Sequence, residues 1–234
     1  MGQIPKLVIG VVTYNVLVGL RSDVLIRTAE SINIAFSSCE KILLDNSSVD
    51  GTEDFILESK EIFKGWQVVF YKSEDGINTP GRGLNELSKH ILAREPDVMV
   101  FSDDDILWKP ESGETLKKFW SFRWDDPIIL CGLLEPEWHW NTPRETITRN
   151  GVKALVRDSC PSCAWTFLAT NAQKILPVSE EFGQDYEKCM SLKERDMRVA
   201  QIDLCEHLGW GMSTHGNDAL VSANPIDKVK WGLE

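Results

Sequence analysis

Short β-branched and aliphatic runs alternate with stretches whose apolar residues recur every three or four positions, and this alternation constrains the fold most. "KLVIGVVTY" (6–14) is nearly continuous in apolar residues, as expected of a strand buried on both faces. Ser22 stands where a helix cap belongs, ahead of Leu25, Ala29, Ile32 and Phe36 on one stripe. "EKILLDN" (40–46) reads as a second strand, and Asp50 to Glu53 open a helix carrying Phe55, Ile56 and Ile62. "WQVVFY" (66–71) is a third strand. After the turn-rich "SEDGINTPGRG" comes a helix with Leu84, Leu87 and Ile91 on one face, then a fourth strand, "DVMVF" (97–101). Strand and helix in strict alternation with short connections predict an α/β fold: a mostly parallel central sheet with helices on both faces. Right-handed crossovers then bring the carboxyl ends of these strands to one edge.

The chain's 234 residues suit one domain spanning 1–234, with 1–110 and 111–234 as two functional halves. A net charge of −11 argues against a broad electrostatic grip on nucleic acid or an anionic membrane. No run of about 18 apolar residues occurs, so no integral membrane segment is expected. The N-terminus lacks a basic region and a small-residue cleavage site. Both features predict a cytoplasmic protein. Of six cysteines, Cys39, Cys131, Cys189 and Cys205 stand among apolar or helical neighbours. Cys160 and Cys163, in "CPSC", have the spacing of a redox pair or half a zinc site, but no second pair accompanies them. They read as buried thiols.

Polar residues gather where the strands end. Thr13, Tyr14 and Asn15 close the first strand, Asp45 and Asn46 the second, and Asp103, Asp104 and Asp105 the fourth. Ligands of open α/β sheets lie outside the carboxyl ends of strands, so this edge is the expected site. Three adjacent carboxylates repel one another unless cations offset them. Hard carboxylate oxygens at a strand end suit a divalent cation, Mn2+ or Mg2+, that in turn bridges phosphate oxygens. Asp105 is the first choice for direct ligand, with Asp103 binding the metal indirectly or holding a ribose. Asp104, pointing the other way if the segment is extended, serves the donor or the fold.

"VVTYN", "LLDNSSVDGTEDF", "GINTPGRGLNELSKHI" and "VMVFSDDD", in that order and spacing, resemble the family 2-like glycosyltransferases of the GT-A fold. The likeness covers residues 6 to about 110 and resumes more weakly at 191–217. It implies a hexosyltransferase-like enzyme that moves a sugar from a nucleotide-diphosphate donor, by preference a UDP-sugar, to an acceptor hydroxyl with inversion. Its Asp-x-Asp motif would hold the metal. By the same resemblance Thr13 to Asn15 surround the nucleoside and Asp45 faces the base. Gly81-Arg82-Gly83-Leu84-Asn85 stands for an Ala/Gly-Arg-Asn element, with Leu84 inserted, so either Arg82 or Asn85 takes that role. A cation beside a helix N-terminus suits a diphosphate.

The C-terminal half is expected to supply the acceptor side. "TLKKFWSFRW" (115–124) reads as an amphipathic helix and "PIILCG" (127–132) as a strand. Residues 134–151 read as an irregular loop whose Trp138 and Trp140 either stack on a sugar or fill the loop's own core. "SCAWTFLAT" (162–170) is a buried strand before a short helix. Leu192 to Leu208 is expected to be a helix stopped by Gly209. Glu194 and Asp196 near its start resemble the family's helix-start acidic motif, interrupted here by Arg195. The resemblance makes Asp196, or else Glu194, the general base. His215, followed by Gly216, matches a family position that completes the metal site, while His90, His139 and His207 read as structural. The acceptor class stays open among a glycan, a lipid-linked sugar, a protein, a small molecule and a modified nucleobase. Two other classes compete. A nucleotidyltransferase needs a Gly-rich basic loop after the first strand, where this chain has "TYNVLVGLRSD". A non-catalytic nucleotide- or sugar-binding protein is favoured by the interrupted acidic motif.

Overall fold

The computed structural model describes residues 4–18, 21–76, 78–121, 127–134, 143–158, 160–179, 192 and 194–208. Its first half follows the expected alternation: β1 (Leu7–Thr13), α1 (Arg21–Ala35), β2 (Glu40–Asn46), α2 (Thr52–Glu58), β3 (Trp66–Tyr71), α3 (Pro80–Leu92) and β4 (Val98–Asp103). There follow β5 (Ile106–Trp108), α4 (Ser112–Trp120), β6 (Ile128–Leu133), β7 (Glu145–Arg149), β8 (Val152–Arg157), β9 (Trp165–Leu168), α5 (Ala172–Ile175) and β10 (Arg198–His207).

All the strands join one sheet, ordered β3-β2-β1-β4-β9-β6-β10-β8-β7, with β5 pairing β10. The β3-β2-β1-β4 portion is parallel, whereas β9 runs antiparallel to both β4 and β6. From β1 the chain moves outward to β2 and β3, then returns to lay β4 on the other side of β1. That reversal is a topological switch point between β1 and β4. It also puts α1 and α2 on one face and α3 on the other, because each crossover is right-handed.

Close backbone approach fixes α3. A side chain at Gly10 would meet Leu87 and Ile91, and one at Gly83 would lie 2.7 Å from Asn46 Nδ2 and 2.9 Å from Val12. The helix therefore rests directly on β1 and β2. Pro80 opens it behind the Thr79 cap, whose Oγ1 accepts from Arg82 N. On the opposite face Phe36 meets Trp108 edge to face at 5.1 Å, and Gly113 of α4 packs against the Ala35 carbonyl. Cys131, Cys160, Cys163 and Cys205 are buried free thiols.

Two sequence expectations are corrected. The irregular loop over 134–151 ends in strand β7, which pairs β8 as a hairpin. Asn150 and Gly151 turn it with φ of 49° and 80°, the conformation a two-residue hairpin loop requires. The helix expected over 192–208 is strand β10 from Arg198 onward, parallel to β6 and antiparallel to β8. Burial won over helical spacing there: Val199, Ala200, Ile202, Leu204 and Cys205 are all buried, as in a strand with a neighbour on each side.

Candidate active site at the carboxyl edge of the sheet

The consecutive aspartates have three different environments. Asp103 ends β4 and is exposed, while Asp104 and Asp105 are buried. The compensating charge comes from Arg21, at the start of α1, whose Nη2 donates to Asp104 Oδ1 and lies 3.8 Å from Asp105 Oδ2. Thr13 Oγ1 donates to Asp104 Oδ2 at 2.6 Å, and Thr28 Oγ1 to the Asp104 carbonyl at 2.9 Å. Burial works to lower the Arg21 pKa, but the carboxylates of Asp104, Asp105 and Asp103 outweigh it and raise the value. Asp104 is thus consumed in joining β1, α1 and the β4–β5 turn.

Asp105 is different. Its Oδ1 is buried with no hydrogen-bond partner and faces His207 Nε2 at 3.5 Å. Burial raises its pKa most, with Asp104 adding to the effect and His207 and Arg21 opposing it. A buried carboxylate oxygen lacking a donor is costly, and it is the feature a divalent cation would satisfy. Among the described residues no group of three or more His, Cys, Asp or Glu side chains is gathered closely enough to hold a metal alone.

The loops after β1 and β2 are stitched together beside this cluster. Asn15, with φ of 49°, accepts from Val49 N through Oδ1 at 2.9 Å, while its own N–H donates to Ser48 Oγ at 2.8 Å. Val16 N donates to Thr52 Oγ1 and Leu17 N to Asp50 Oδ2, each at 2.9 Å. Asp45 is buried at the end of β2 and turned onto Ser48, accepting from its hydroxyl and its N–H. Burial pushes the Asp45 carboxyl up, against those hydrogen bonds. Tyr14 lies half-buried in the same stretch.

The remaining expected site residues are divided. Arg82 Nη1 pairs with Asp75 at 2.6 Å near the start of α3. Asn85 instead clamps the main chain of Val178: Nδ2 donates to its carbonyl at 3.0 Å and Oδ1 accepts from its N–H at 2.8 Å. Asn85 is therefore engaged in holding α3 to the segment after α5. Glu194 and Asp196 are exposed and immediately precede β10. Arg198 is in register with Ile128, and β6 and β4 run in the same direction through β9, so this is the amino edge of the sheet. At about 3.3 Å per residue, the registers set Asp196 roughly 23 Å from Asp103 along the strand direction alone, with β9 and β6 between their strands. The structure does not bring these two acids to the aspartates. His215, Trp138 and Trp140 lie outside the described residues. His207, which the sequence suggested was structural, is the histidine found beside Asp105. Only its place at the end of a strand signalled this, and the expected helix hid that.

Comparison with known proteins agrees with this architecture. The family model described as Glycosyl transferase family 2 matches residues 8–167. The chain belongs to that family. Among curated proteins none matches it. The structure of S. aureus TarS is 18% identical with a TM-score of 0.58, over 84% of this chain and 35% of TarS. The mannosyltransferase PcManGT from Pyrobaculum calidifontis, in complex with GDP-Man and Mn2+, is 14% identical with a TM-score of 0.61, over 89% of this chain and 60% of that one. GalNAc-T7 with UDP, GalNAc and Mn2+ is 13% identical with a TM-score of 0.62, over 97% of this chain and 48% of that one. At these identities the likeness establishes the GT-A-like α/β fold. The chain spans between 35% and 60% of the length of these proteins. Among the described residues no helix is long and apolar enough to cross a membrane.

Proposed function

We propose that the protein is a metal-dependent glycosyltransferase that takes a sugar from a nucleotide-diphosphate donor, by preference a UDP-sugar, and passes it to an acceptor hydroxyl with inversion. The observation that carries this reading is the division of labour among the aspartates. Arg21 and Thr13 occupy Asp104, while Asp105 keeps a buried oxygen without a hydrogen bond beside exposed Asp103. Family membership and solved neighbours described with UDP or GDP-Man and Mn2+ support it.

In this reading Asp105 and Asp103 hold Mn2+ or Mg2+. When bound, the ion would offset charge on the donor diphosphate and on the departing nucleoside diphosphate. Tyr14 and the stitched 15–17 and 48–52 loops form one wall for the nucleoside, with Asp45 beneath it. Arg82, released from Asp75, supplies a cation to the phosphates. Neither Glu194 nor Asp196 is assigned the base, since both stand at the opposite edge. Calorimetric titration with UDP, GDP, CDP and ADP, with and without Mn2+, tests the donor site. Metal-linked binding of one diphosphate, lost in Asp105→Ala, is expected; absence of any such binding would refute the site.

The displacement of Glu194 and Asp196 favours a second reading, a nucleotide-sugar-binding protein without transfer. Incubation with UDP-sugars separates the two. Release of UDP, by transfer or slow hydrolysis, fits an enzyme, and tight binding with no release fits the binding protein.

A further inference from the structure

We propose that His207 is a positioning residue for Asp105: it holds that carboxylate in the orientation the cation requires. The inference rests on the donor-site reading above.

Backbone pairing forces the two side chains together. β10 runs antiparallel to β5, with His207 opposite Ile106, Glu206 opposite Leu107 and Cys205 opposite Trp108. Leu208 N donates to the Asp105 carbonyl at 2.7 Å, closing the ladder at the end where the side chains meet. Lys109 N and Ser112 Oγ both donate to the Leu204 carbonyl, at 2.9 and 2.7 Å, and anchor the other end. The strand is thus held by main-chain bonds that need no imidazole. Yet His207 Nε2 is brought to 3.5 Å from Asp105 Oδ1, with the side chains only 19% and 9% exposed.

The carboxylate has a basic group on each side: His207 toward Oδ1 and Arg21 Nη2 at 3.8 Å from Oδ2. Arg21 makes its hydrogen bond to Asp104, while His207 is the basic side chain on the Oδ1 side of Asp105. Ligating carboxylates are usually held by such an outer hydrogen-bond donor, whose loss weakens metal binding about 10- to 100-fold. An imidazole packed at this distance limits the carboxylate's rotation, the part an outer partner plays for a ligating group.

Mn2+ titrations in the presence of UDP, on wild type, Asp105→Ala, His207→Ala, His207→Gln and His207→Phe, decide the matter. Thermal unfolding in EDTA accompanies them. His207→Ala and His207→Phe are expected to bind Mn2+ about tenfold more weakly or worse. His207→Gln, which keeps an N–H donor, should recover most of the affinity. All three should unfold in EDTA near the wild-type midpoint. If the alanine variant does not fold, the glutamine–phenylalanine contrast carries the same test. Equal affinity in wild type, His207→Phe and His207→Gln, with binding lost in Asp105→Ala, would overturn the role of His207 and leave the donor site standing. Failure of the wild type itself to bind Mn2+ with UDP would overturn both.

Discussion

Arg21 and Asp104 are ion-paired in the interior, one from the first turn of α1 and the other from the turn after β4. Both side chains are about nine-tenths buried, at 10% and 7% exposure. Charge removed on one side strands the other in a medium that cannot solvate it. Arg21→Ala should cost about 3 kcal/mol or more, read as a lower urea midpoint with no ligand present. Arg21→Lys retains the charge and should recover part of that loss.

Neighbouring carboxylates should separate in their effects. Asp105→Asn is expected to abolish metal-linked nucleotide binding with little loss of stability, because it removes a buried charge whose Oδ1 has no hydrogen-bond donor. Asp104→Asn should do the reverse, lowering stability by about 2 kcal/mol through loss of the buried charge partner that Arg21 hydrogen-bonds. Parallel calorimetry and urea unfolding of the two variants check this. Equal effects on binding would contradict the division of labour.

The pH dependence of stability follows from Asp105, whose folded pKa burial holds above its ordinary value. Between the unfolded value of about 3.9 and the raised folded value, the folded state binds more protons than the unfolded chain. Stability of the metal-free protein therefore falls as pH rises through that window, and Asp105→Asn should remove this component. Mn2+ needs the ionised carboxylate, so the rise in thermal midpoint it produces should grow over the same window. Midpoints of wild type and Asp105→Asn across that pH range, with Mn2+ and with EDTA, provide the measurement.

Glu194→Gln and Asp196→Asn should each leave donor turnover within about twofold of wild type. The register of β10 with β6 sets both acids at the far edge of the sheet. A loss of about a hundredfold or more, the scale of general-base removal, would mean that this edge takes part in the reaction.

Much of the fold was legible because β1 to β4 are short, apolar and separated by clean helical stripes. The β7–β8 hairpin was legible in principle. Thr146, Ile147 and Thr148 are β-branched, and Asn150-Gly151 is a strong turn signal, but flanking tryptophans drew attention to a loop. β10 was not. Its burial does not alternate, being flanked on both sides, and acidic residues ahead of it imitate a helix start. As a strand, β10 sets Glu194 and Asp196 at its amino end and His207 beside Asp105. Asp104 shows the other limit, since only tertiary contact with Arg21 distinguishes it from its neighbours.

The place of β10 also bears on how a ribosome-bound chain acquires this structure. Residues 198–207 insert between β6 and β8, strands made some 40 to 80 residues earlier in synthesis. Until they emerge, β6 offers one open edge and the β7–β8 hairpin has no seat. The β1–β4 portion can assemble first, because its pairings need only residues up to Asp103. Asp105 would then wait, already made but not yet enclosed, for the last described strand to deliver its imidazole neighbour. A chain folding as it is synthesised would then complete the carboxylate cluster late, after the floor beneath it.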